Sequence, residues 1–174
     1  MITLKEGKII DQWSTLIEQC QGHGEGLLQS VEANLRSSEA PGVSWKRESV
    51  APGWLKGLLG KRRDYLLLTH ERFDDYLMCV GARDYGTALD VSWYLTGSTK
   101  SALVKALAQV PGVGVAAGMY AALQSLDVFD QQDLTAYVTI GHHAVIKAVE
   151  ELMRQRNLDL ARLERKSRGM FGVS

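Results

Sequence analysis

Neither sign of charge is in excess in this chain of 174 residues, which carries 20 Lys and Arg against 20 Asp and Glu. With no bulk field, any electrostatic partner has to be met by a local patch, and the neutral balance argues against nucleic acid. Cysteine is scarce: Cys20 and Cys79 fall in separate elements, as suits small buried hydrophobes rather than a disulfide framework or a reactive thiol. The opening residues MITLKEGKII hold no continuous apolar run, so no secretory signal is visible and a cytoplasmic location is the default expectation. Internal repeats and low-complexity runs are missing too. What remains is an ordinary globular composition, 45% hydrophobic and 23% charged, of a size for one domain over residues 1–174.

The most informative stretch is Arg63 to Gly97, three apolar runs separated by two turn signals. In the last run Leu89, Val91, Trp93 and Leu95 alternate with Asp90, Ser92 and Tyr94, the period of a strand with one face buried. The breaks at Arg72–Asp75 and Arg83–Gly86 suit antiparallel hairpins, Gly86 supplying a positive φ. Val43 to Val50 adds a strand with Val43 and Trp45 inward, although Arg47 shares that parity. The sheet, within 43–97, is therefore a four-stranded antiparallel meander at about 43–50, 63–71, 76–84 and 87–96.

Helices are expected before and after this sheet in the chain, covering one of its faces. Thr3 and Glu6 have capping-box spacing, and Ile9, Trp13, Leu16, Ile17 and Cys20 follow at three- and four-residue steps. Leu27, Leu28, Val31 and Leu35 mark a second helix, giving an N-terminal helical hairpin over 4–37 that ends before Pro41. C-terminal helices are expected over 99–156. The first carries Leu103, Val104 and Leu107; the uncharged run Ala106 to Leu126, broken at Pro111-Gly112, reads as a small-residue helix buried in the fold or at a subunit contact. Its alanines and glycines make a poor membrane span. Asp130 is the expected cap of the longest helix, whose inner face is Leu134, Val138, His142, Val145, Val149 and Leu152. The basic tail 157–174, with Arg162, Arg165, Lys166 and Arg168, should hold a turn or two and then fray. The fold class is α+β in two layers.

No reactive constellation emerges. His142 and His143 are adjacent, so their imidazoles point about 100° apart on a helix rather than sharing a metal. Thr96 to Ser101 partly matches a phosphate-binding loop, but Thr99 stands where a glycine must precede the lysine; helix capping explains it. Gly112, Gly114 and Gly118 imitate a dinucleotide fingerprint without the strand that should precede it. His70, Glu71, Asp74 and Asp75 gather at a hairpin tip, with Asp84 at the opposite sheet end, where turn chemistry accounts for them. Asp90 and Ser92 face away from Trp93 and would line a groove only on an open sheet face. The composition and motifs thus point to no cofactor, no metal and no catalytic residue.

The distinctive segment is the loop from Ala51 to Arg63. Trp54, Leu55, Leu58 and Leu59 stand among glycines beside Lys56, Lys61, Arg62 and Arg63. These eight residues are the expected contact for a partner or for an anionic membrane surface. A non-catalytic binding or assembly domain, self-associating through its small-residue helix or a sheet edge or binding a protein partner, is the primary functional expectation. Peripheral membrane attachment through 54–63 is the alternative, and a small-ligand protein or enzyme near His70, Asp90 or His143 the third.

Overall fold

A computed structural model describes residues 3–4, 9–52, 63–97, 121 and 126–174, with backbone alone at 3–4, 50–52 and 63. The alternation seen from Leu89 to Leu95 continues along strand β6 (Ala88–Gly97), and its four apolar members are fully buried. Ahead of β6 in the chain come β1 (Thr3–Leu4), β2 (Ile9–Ile17), β3 (Val43–Pro52), β4 (Arg63–His70) and β5 (Tyr76–Tyr85). Spatially they run β1-β3-β4-β5-β6-β2. The meander β3 to β6 is therefore as expected to within two residues at each end, and Gly86 turns between β5 and β6 with φ +63°.

The sheet is larger than four strands, because the N-terminal helical hairpin is absent. β2 pairs antiparallel with β6, placing Trp13 opposite Trp93 and Ile17 opposite Leu89, and β1 adds two residues parallel to β3. The apolar series that suggested a helix is ambiguous by arithmetic: Ile9, Trp13 and Ile17 are spaced by four, which fits a helix face and also every second inward position of a strand. Asp11 completes the strand pattern, buried at 0% exposure on the inward side, whereas Leu16 is 56% exposed. Isoleucine, tryptophan and threonine also favour a pleated surface.

Among the described residues one helix, α1 (Gly24–Ser37), precedes the meander; it buries Leu27, Leu28, Val31 and Leu35. The long helix α2 (Val128–Gln155) buries the full expected face, together with Tyr137. Its cap is Asp127 rather than Asp130: the Asp127 carboxylate accepts the Asp130 N–H at 2.8 Å. Both helices join one core with Trp13, Leu66, Leu68, Met78, Val80 and Trp93, so Trp93 does lie beneath helices. Asn34 of α1 donates to the Ala144 carbonyl of α2 at 3.1 Å. Arg47, the charged residue of inward parity, reaches the α1 carboxylates Glu25 and Glu32 at 2.6 and 2.7 Å. On the opposite sheet face Leu67 and Cys79 form a smaller buried cluster with Tyr65 and Leu77. The expected helix at 99–110 and the small-residue stretch after it lie outside the described residues.

The tail does not fray. After a single 3-10 turn at Leu160–Arg162 it runs along the free side of β2. Arg168 N–H donates to the Gln12 carbonyl at 2.7 Å, Met170 N–H to that of Ile10 at 3.2 Å, and the Trp13 indole N–H to that of Glu164 at 2.7 Å. An edge strand otherwise presents unpaired main-chain groups, and the tail covers them. The strand assignment of β2 is directly testable in urea. Ile17→Ala should cost about 2–5 kcal/mol, as for other buried aliphatic truncations, and Leu16→Ala no more than about 0.5 kcal/mol. Equal losses at both positions would restore the helical reading.

Candidate functional site

Of the eight residues expected to contact a partner or membrane, Trp54, Leu55, Lys56, Leu58, Leu59, Lys61 and Arg62 lie outside the described residues. Arg63 opens β4, paired with Val50. Among the described residues no helix is long and apolar enough to cross a membrane, and no group of three or more His, Cys, Asp or Glu side chains is gathered for a metal. Among the described residues, four places bear on chemistry or binding.

The first is the hairpin tip. His70 ends β4 with its ring against Phe73 at 4.9 Å and Tyr137 at 5.7 Å. Its Nδ1 accepts the Arg72 N–H at 3.2 Å. Arg72 in turn bridges Asp130 and Asp133 of α2. The cleft they border, between Pro41, Val43 and Tyr137, has a volume of about 200 Å³. That is smaller than the few hundred Å³ of an ordinary ligand site. Glu71 and Asp74 are exposed and Asp75 is half-buried, so none of the three carboxylates is fully buried. At the other sheet end the Asp84 carboxylate accepts the Gly22 N–H at 2.8 Å, a loop-closing role.

The second is the sheet face opposite the helices, where Asp90, Ser92, Tyr65, Arg83 and Tyr94 do border one crevice. Asp90 is held by Arg83 at 2.6 Å, and Ser92 is buried. The crevice measures about 30 Å³, the space of a water molecule. Cys79 lies on this face with its thiol pushed up to about 12 by burial, which keeps it protonated and unreactive at neutral pH. Cys20 is likewise buried and unpaired, its thiol raised by burial.

The third is the layer between β6 and α2. The Trp93 indole donates to His142 Nδ1 at 3.0 Å, with Trp13 edge-on to the same imidazole at 6.1 Å. Because indole N–H is a donor only, neutral His142 carries its proton on Nε2. Among the described residues that N–H meets no acceptor in full hydrogen-bond geometry, the Arg165 backbone being its polar neighbour, and the buried Ser167 hydroxyl in the tail has no partner. Burial pushes the His142 pKa below the ordinary imidazole range. The Arg165 backbone opposes the shift, exposed His143 adds to it, and Asp11 opposes it again. The Asp11 carboxylate is engaged by main-chain N–H groups: Gln12 at 2.7 Å, Phe171 at 2.8 Å and Gly172 at 3.2 Å. With its proton on Nε2, His142 has no free lone pair to act as a base. As the adjacent spacing implied, His143 points elsewhere, to the Ser174 carbonyl at 3.0 Å.

The fourth went unnoticed in the sequence. The outer face of α2 carries an open groove of about 560 Å³ along Val128, Gln131, Thr135, Ala136, Thr139 and Ile140. Beside it Val128 is 66% and Phe129 75% exposed. Among the described residues no charged side chain lines it. The signal was present as two adjacent large apolar residues at the helix start, off the inward phase.

Compared with protein-family models, curated proteins and solved structures, the chain matches none.

The buried imidazole generates a pH dependence. Above about pH 6.5 the ring is neutral in both folded and unfolded chains. Below that value the unfolded chain takes up a proton that the buried ring resists, so stability falls with pH until the lower folded pKa is reached. The urea midpoint of the wild type should drop between pH 7.5 and pH 5, and that of His142→Gln should drop less. Parallel slopes would remove His142 as the source.

Proposed function

We propose that this chain is a non-catalytic assembly domain that self-associates through the outer face of α2. The observation that carries the reading is the exposure of Phe129 beside an uncharged, largely apolar groove on the same helix. A protruding ring and a groove on one surface are self-complementary: about a two-fold axis, each copy's Phe129 meets the other's groove. Aromatic anchors entering apolar grooves are the residues that dominate interface energies. The balanced charge leaves no net repulsion between copies. The polar groups Arg72, Asp11, Arg83 and Asp90 are each held by partners within the fold.

Light scattering coupled to size exclusion, run over a dilution series, should show a concentration-dependent dimer. Phe129→Asp should weaken it at least about ten-fold, in keeping with loss of a central aromatic anchor. A wild type that stays monomeric at its highest attainable concentration would sink this reading.

A further inference from the structure

The C-terminal tail is more than a cover. From Ser167 to Val173 it closes on itself through Ser167 N–H to the Val173 carbonyl at 2.8 Å, with Gly172 at φ +54°. This hook docks on β2 largely through main-chain groups. Arg168 and Met170 pair antiparallel with Gln12 and Ile10, and two successive N–H groups of the hook grip Asp11. Gly169 sits so close that a Cβ there would fall 2.5 Å from the Asp11 Cα and 2.7 Å from the Ile10 carbonyl oxygen.

We propose that the β2 edge around Asp11 is a peptide-docking site, filled in cis by the chain's own hook and open in trans to the hook of a second copy. Three features support exchange. With the hook seated Asp11 is buried at 0% exposure, and two of its three main-chain donors, Phe171 and Gly172, belong to the hook, so a segment that covers this edge must bring the same two donors. The hook's shape is set in part by its own Ser167–Val173 bond, which pre-organises it as a separable ligand. The cis seating is also imperfect, since the buried Ser167 hydroxyl of the hook finds no partner among the described residues. Strand addition at an edge is a recurrent mode of recognition, and a second copy carries the complementary segment by construction. This inference deepens the self-association reading and rests on it.

The test uses full-length protein and a fluorescent peptide of residues 163–174. Gly169→Val should unseat the hook: the Arg168 and Met170 amides lose hydrogen-exchange protection while those of β5 and β6 keep theirs. That variant should bind the peptide saturably and at least about ten-fold more tightly than the wild type, whose own hook competes. Arg168→Pro, which deletes one N–H to β2, serves if the valine variant does not fold. An unseated but folded variant that fails to bind would overturn the site, as would a Gly169→Val hook that remains protected. For the second copy, Phe129→Asp protein refolded from urea at high concentration should give a dimer that excess peptide dissociates. A strict monomer there overturns exchange between copies, while the α2 interface is judged separately by the dilution series.

Discussion

A hydrogen bond between two fully buried side chains, Trp93 N–H to His142 Nδ1, sets the rotation of α2 above the sheet. Once His142 faces Trp93, the 3.6-residue period sends Leu134, Val138, Val145, Val149 and Leu152 inward and leaves Phe129, Thr135 and His143 outside. Removing either partner strands a polar atom in a dry interior, a penalty larger than the bond's own net contribution. The bond therefore specifies one rotational setting among those that apolar packing alone would tolerate. Tyr137 adds a second tie, one turn away: its hydroxyl donates to the Leu68 carbonyl at 2.7 Å and accepts the Met78 N–H at 3.3 Å. Burial raises its pKa, so the phenol stays protonated and the donor persists.

How much of this was legible follows from how local each determinant is. The meander and α2 repeat their patterns over ten residues or more, and both could be read with accurate bounds. The N-terminal segment could not. Ile9, Trp13 and Ile17 fit either period, and the deciding residue, Asp11, looks solvent-facing until its partners are known. Those partners are the main-chain N–H groups of Phe171 and Gly172, 160 residues later in the chain. No window of sequence contains that information. The same separation hid the order of the tail, whose basic residues suggested solvent while its main chain was reserved for β2. Arg47 was legible as an anomaly but not as a solution, because Glu25 and Glu32 lie on a helix whose docking had to be known first.

The candidate sites divide in the same way. The adjacent histidines and the hairpin-tip carboxylates could be weighed from spacing and turn chemistry alone. The α2 groove depends on which face remains uncovered, a property of the assembled fold. Val128 and Phe129 precede the inward phase of the helix and carried no motif.

The two sheet edges are treated differently, and this bears on how copies would meet. The β3 edge is blunted locally: β1 pairs with only two of its residues, the Lys46–Glu48 ion pair at 2.9 Å lies along the strand, and Pro52 ends it. Such features discourage strand addition without any ligand. The β2 edge has no proline; it is blocked by the docked hook, whose removal exposes both ladder groups and an inward carboxylate. While the hook is seated, strand pairing between copies is closed at β2, which is consistent with the proposal that copies meet through the α2 groove. Once the hook is unseated, Asp11 makes the edge selective, because an incoming strand without two successive free N–H groups would bury that carboxylate uncompensated.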